Sequence, residues 1–200
     1  MSNSIDKLDF GDVKAVVNLH MSNFEGFFLT SLGESFLNVF YNSILADNLS
    51  VGVGLYQKNE LVSFAIGTSK STGFYKKILW DNFFGLLVVL IPVFLKKPKT
   101  ILRLLKKLSQ NPGKTYISEK AGWLLSICTD KDFRKDNISS RVLREFESNL
   151  SKNKNDAVYL TTDATKNEHV IHFYRKNGYS VVNDFNASKD RKMLLFTKKL

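Results

Sequence analysis

From Ala121 onward the chain alternates β-rich runs with segments of helical period, and that order constrains its fold more than any other feature. "AGWLLSICT" (121–129) reads as a buried strand and "DKDFRKDN" as a loop. "ISSRVLREFESNLSKN" reads as a helix with Val142, Leu143, Phe146 and Leu150 on one face. "AVYLTTD" (157–163) is then a strand, 168–178 a helix closed by Gly178, and "YSVVNDF" and "KMLLFTKK" two further strands. The resulting order is strand, helix, strand, helix, strand, strand.

A helical and hairpin start precedes it. Asp12 stands as an N-cap before Val13, Val16, Val17, His20, Met21 and Phe24, which recur at helical spacing. A second helix begins at about Gly33, with Leu32, Phe36, Leu37, Phe40, Tyr41, Ile44 and Leu45 at steps of three and four. "VGVGLYQ" (51–57) and "LVSFAIGTS" (61–69), separated by "KNE", form an antiparallel pair.

The region from 74 to about 115 is an apolar and basic segment between the hairpin and the strand at 121. Its apolar run "FFGLLVVLIPVFL" is too short for an ordinary transmembrane helix and contains Gly85 and Pro92. Ile101, Leu102, Leu104, Leu105 and Leu108 then make an apolar face surrounded by Lys96, Lys97, Lys99, Arg103, Lys106 and Lys107. Such a basic amphipathic helix packs on the domain, lies on an anionic membrane surface, or covers an anionic ligand.

With 29 Lys and Arg against 19 Asp and Glu, the chain favours an anionic partner: a phosphorylated cofactor, a membrane or nucleic acid. No nucleic-acid motif accompanies the charge, which sets nucleic acid aside. The single cysteine, Cys128, excludes an internal disulfide framework and has no metal-ligating neighbours at useful spacing, so no metal is expected. The polar, acidic N-terminus lacks the pattern of a signal peptide, so a cytoplasmic protein is expected. Its 200 residues suit one domain.

The chemistry is expected where the strand at 121–129 passes through Arg134, Lys135, Asp136 and Asn137 into a helix beginning Ile138-Ser139-Ser140. First-turn N–H groups of a helix placed this way can receive a pyrophosphate. Glycines normally let a ligand approach such a loop, but here Asn137 and Ser139 stand in their places. Asn tolerates the left-handed conformation best among other residues, and Ser is small and carries a hydroxyl. An ordinary loop capped by Asn137 or Ser139 is the competing reading.

This loop and helix, followed by "AVYLTTDATKNEHVIHFYRKNGY", resemble the GNAT superfamily of acetyl-CoA-dependent acyltransferases. Arg134 matches the first position of the family's phosphate loop, while Asn137 and Ser139 depart from its glycine positions. Asn167, Phe173-Tyr174 and Gly178-Tyr179 match a second motif. The resemblance covers about residues 121 to 185, and the helices and hairpin before it follow the family's order; 74–115 looks like a helical insertion. The implied fold is α+β, of α/β/α type, with a mixed, mostly antiparallel twisted sheet flanked by helices. "FLTSLGESFLNVFYNSIL" also resembles a subgroup found among bacterial surface-polysaccharide proteins, which implies amino-sugar substrates.

The resemblance implies direct attack of a small-molecule primary amine on the acetyl-CoA thioester. Backbone groups at Ile127, Cys128 and Thr129 would hold the acetyl oxygen, and Arg134, Lys135 and the loop through Ser140 would hold the phosphates. Tyr174 would protonate the CoA sulfur, and Asn167 would hold the pantetheine or cap its helix. The family fixes no position for the general base. Glu25, Glu119 and His20 are candidates: His20 sits on an apolar face, and Glu25, just past the first helix, is preferred. Competing readings are a catalytically silent domain of the same fold and a membrane-surface protein acting through 74–115. A homodimer and a peripheral membrane contact are open expectations.

Overall fold

The computed structural model describes residues 3–70, 77, 85, 88–90, 118, 120–134, 137–188 and 191–200. Its strands are β1 (Asn3–Lys7), β2 (Ser50–Gln57), β3 (Glu60–Thr68), β4 (Ala121–Thr129), β5 (Ala157–Asp163), β6 (Ser180–Ser188) and β7 (Arg191–Lys199). The helices that position the site are α1 (Val13–Asn23), α2 (Glu34–Leu45), α3 (Ile138–Lys152) and α4 (Glu168–Lys176). The strands form one sheet in the order β1-β2-β3-β4-β5-β7-β6. Among the described strands only the β4–β5 pair is parallel, so the sheet is mixed and mostly antiparallel, as expected.

Helices cover both faces. α1 and α2 pack on one, where Val16, Val17, Leu37 and Ile44 meet Phe64 and Ile66 of β3. α3 and α4 pack on the other, where Val142, Leu143, Phe146 and Leu150 meet Val53, Leu55 and Leu160. These α3 residues recur at steps of one, three and four and are fully buried, so the helix is held by one apolar face. Burying four such side chains contributes on the order of 8 kcal/mol before the ordering cost.

Two local features depart from the sequence reading. β1 was not foreseen, because Ile5 is its one apolar residue; an edge strand held by pairing with β2 tolerates polar side chains. Asp12 occupies the N-cap position of α1 without a side-chain capping bond. Its carboxylate instead accepts the Asp9 N–H at 2.9 Å and the Tyr56 hydroxyl at 2.5 Å. In the 74–115 segment the described residues 77, 85 and 88–90 are helical, and Val89 and Leu90 pack against the α1–α2 cluster. The basic run 96–108 lies outside the described residues.

One irregularity in the sheet shapes the space between its central strands. The β3–β4 register pairs Ile66 with Ser126 and then Gly67 with Leu124, leaving Leu125 as an extra residue on β4. Such a bulge bends its strand and increases the local twist. Gly67 makes it possible: a Cβ there would sit 2.1 Å from the Trp123 carbonyl oxygen and 2.6 Å from Cζ of Phe146. Gly67→Ala should therefore cost about 3 kcal/mol, seen as a lower denaturant midpoint at unchanged slope. A loss within experimental error would show that the bulge does not depend on this close approach.

Candidate active site

β4 and β5 run parallel but pair only over Ala121–Trp123 and Ala157–Tyr159, at their N-terminal ends. Beyond those three rungs the bulge carries β4 away from β5. Exposure follows the separation. Along β4 only Leu125, Ser126 and Ile127 are partly exposed, and along β5 only Thr161, Thr162 and Asp163. A cleft thus opens within the sheet, at the C-terminal ends of its two central strands.

Hydrogen-bond alternation decides which backbone groups face it. The Asp130 N–H donates to Val62 O at 2.9 Å, and in the same register Cys128 and Ser126 aim their backbone groups at β3. Ile127 and Thr129 therefore aim theirs away from β3, into the gap that β5 has left. Of the three residues expected to present backbone donors, Ile127 and Thr129 do so, whereas Cys128 is paired with β3. The Cys128 side chain lies on the α1–α2 face, its thiol directed at Leu19 O at 3.6 Å and pushed up to about 12 by burial. It is inert there.

The N-terminus of α3 stands beside the end of β4. Asn137, its N-cap residue, adopts φ 53° and ψ 20°, the left-handed conformation a phosphate loop usually assigns to glycine. Its side chain makes no capping bond, so it does not cover the first-turn N–H groups of Ile138, Ser139 and Ser140. Ile138 is fully buried and anchors this turn in the core.

Ser139 serves a different purpose from the expected one. Its hydroxyl lies 2.8 Å from Thr129 Oγ1, which lies 2.7 Å from Ser63 Oγ, which donates to Cys128 O at 2.9 Å. Once Ser63 gives its proton to the carbonyl, Thr129 must donate to Ser63 and Ser139 to Thr129. The chain ties the start of α3 to the ends of β3 and β4, and it turns the Ser139 proton inward. Sequence reading missed Ser63, because a buried serine in a strand has no signature until its partners are placed.

Arg134 is exposed, with Nη2 3.3 Å from Asn23 Oδ1 and Nε 3.5 Å from Thr129 O, so it leans across the end of β4 toward α1. Lys135 and Asp136 lie outside the described residues. At the end of β5, the amide of Asn167 donates to Thr162 Oγ1 at 2.7 Å and to Asp163 O at 3.1 Å. It fixes the turn into α4 and makes no side-chain cap of the helix.

Tyr174 of α4 is 6 % exposed and packs against Tyr179 and Phe196, with ring centroids 5.5 and 5.7 Å away. Burial raises its pKa, so the phenol keeps its proton at neutral pH. Among the described residues nothing bonds its hydroxyl. Tyr179 contrasts with it: its hydroxyl donates to Glu147 Oε1 at 2.8 Å, and Glu147 also binds Lys198 Nζ at 2.6 Å.

On the opposite face His20 is buried, with Nδ1 2.8 Å from Tyr41 Oη. Tyr41 donates to Ser126 Oγ at 3.1 Å, within the exposed stretch of β4. Burial lowers the imidazole to about 4 and keeps it neutral. Glu25 is exposed in the turn after α1, and Glu119 lies outside the described residues.

Known proteins share this fold. The model of the Acetyltransferase (GNAT) family matches residues 13–179. Solved structures with the same fold include the ribosomal-protein-S18-alanine N-acetyltransferase from Escherichia coli: 12% identity, TM-score 0.61, covering 99% of this chain and 94% of that one. Aminoglycoside 6'-acetyltransferase type Ii gives 15% identity and a TM-score of 0.63, covering 98% and 96%. The PaiA N-acetyltransferase from Thermoplasma acidophilum, in complex with coenzyme A, gives 14% and 0.58 over the whole of both chains. No curated protein matches the sequence. With a cleft between its central strands, an uncapped helix beside it and a family match spanning most of its length, the chain belongs to the GNAT acetyltransferase family.

Proposed function

We propose that the protein transfers the acetyl group of acetyl-CoA to the primary amine of a small molecule, by direct attack on the thioester. The observation that carries this reading is the opening of β4 from β5 beside the uncapped start of α3. The thioester end of acetyl-CoA would lie along β4, with its acetyl oxygen held by the outward backbone N–H groups of Ile127 and Thr129. The pyrophosphate would meet the N–H groups of Ile138, Ser139 and Ser140, with Arg134 and Lys135 supplying positive charge. Tyr174 would give its proton to the departing thiolate. Its protonated, unbonded hydroxyl suits that role. Asn167 would act by fixing the end of β5.

The acceptor we favour is a nucleotide-linked amino sugar, on the resemblance of residues 28–45 to proteins of surface-polysaccharide synthesis. Two of the structural neighbours are named for other amines, a protein alanine and an aminoglycoside. A thiol-release assay with acetyl-CoA should therefore compare a nucleotide-linked amino sugar, an aminoglycoside and a peptide beginning with alanine. The amino sugar should turn over fastest, and Tyr174→Phe should lower kcat about 100-fold while acetyl-CoA affinity stays within twofold. Preferred turnover of the peptide or the aminoglycoside would overturn the acceptor; unchanged kcat in the variant would remove Tyr174 from the mechanism.

A second reading is compatible with the first and rests on sequence. The cations from Lys96 to Lys107 surround an apolar face at helical spacing, a pattern suited to an anionic membrane surface. A cytoplasmic enzyme held there would work close to membrane-linked precursors. Flotation with phosphatidylserine vesicles should recover the protein at low salt and release it at high salt; indifference to the vesicles would sink this reading.

A further inference from the structure

Glu25, the base favoured from sequence, stands exposed in a turn, while a different set of groups converges on the cleft. Ser126 has the one polar side chain in the partly exposed stretch of β4. It points to the α1–α2 face, opposite the side on which α3 and α4 stand, as its bond to Tyr41 of α2 shows. Behind Tyr41 is His20, whose Nε2 is buried and has no hydrogen-bond partner among the described residues. A strand residue open to the cleft is thus connected through two buried groups to an imidazole with one nitrogen unclaimed.

We propose that Ser126, Tyr41 and His20 form the proton relay of the acetyl transfer, with Ser126 Oγ contacting the acceptor amine. This inference rests on the acetyltransferase reading. In the resting arrangement Tyr41 gives its proton to Ser126, so His20 Nδ1–H donates to Tyr41. A histidine tautomer is normally fixed by what its second nitrogen bonds. Here, among the described residues, nothing bonds Nε2, so the proton can sit on either nitrogen and the chain can reverse. Reversed, Ser126 donates to Tyr41 and Tyr41 to Nδ1, which leaves Ser126 Oγ an acceptor facing the cleft.

The step then balances. The amine nitrogen bonds to the thioester carbon, and its excess proton passes to Ser126 Oγ as the Ser126 proton moves to Tyr41 and the Tyr41 proton to His20 Nδ1. The C–S bond breaks with its electron pair going to sulfur, which is protonated on the other side of the sheet. Once the product has left, the imidazolium returns its proton through Tyr41 to Ser126, which releases it at the partly exposed stretch of β4. An imidazole held near 4 is a weak base. It is suited to the cationic nitrogen of the tetrahedral adduct, which is far more acidic than a free ammonium ion. Ser126 would be the catalytic residue; Tyr41 and His20 act through it as positioning and relay groups.

The test uses the full-length protein and whichever amine turns over fastest in the thiol-release assay. Ser126→Ala and Tyr41→Phe should each lower kcat about 100-fold, with acetyl-CoA affinity and acceptor KM within threefold. The double variant should be no slower than the worse single one, because a relay broken once is already broken. Ser126→Thr, which restores a hydroxyl, should recover activity to within about fivefold of the wild type. Losses that multiply in the double variant, losses confined to KM, or single variants within twofold of wild type would overturn the relay. Acetyl-CoA binding by the wild type without turnover of any amine would overturn it too, while leaving the cofactor site in place. Failure to bind acetyl-CoA at all would instead remove the reading on which the relay rests.

Discussion

The site depends on a parallel pair of strands that stops pairing after three rungs. A bulged residue, Leu125, is accommodated because Gly67 allows the Trp123 carbonyl to come close, and β4 then leaves β5. In a sheet covered by helices on both faces, unpaired backbone donors and acceptors are costly unless something bonds them. Ile127 keeps its outward pair in the partly exposed stretch of β4, and at Thr129 the carbonyl receives Arg134 Nε while the N–H faces the gap. A ligand that runs as an extra strand would satisfy them, and the fold supplies the space for it.

The second requirement is a helix start that can face a phosphate. Glycine usually meets it through conformational freedom, but this chain divides the task. Asn137 takes the left-handed position, and Ser139 is drawn against Thr129 and Ser63, fixing the first turn of α3 relative to β4. What is lost in backbone freedom is replaced by a hydroxyl chain whose donors are all committed. The inward Ser139 proton leaves ligand contact to the N–H groups, which are uncapped.

Much of the fold could be read from the order of elements after Ala121 and from the one-sided apolar faces of α2 and α3, because burial imposes those periods. β1 could not, since an edge strand needs little apolar content. At the site, Asn137 and Ile127 were legible because local sequence and strand position determine their backbone. Ser63, Ser126 and Tyr41 were not: Tyr41 and Ser126 are 85 residues apart and meet only after α2 packs on the sheet. Cys128 illustrates the limit from the other side. Its position in the strand was right, but register alone decided that its backbone would face β3.

A phosphate cradle that works without glycine because Asn137 holds the left-handed position is tested most directly by calorimetric titration of acetyl-CoA into wild-type protein and Asn137→Ala. The wild type should bind in the micromolar range, about −8 kcal/mol, and the variant about fivefold more weakly, since alanine is strained in that conformation. Absence of binding to the wild type, or equal affinity in the two proteins, would contradict this cradle.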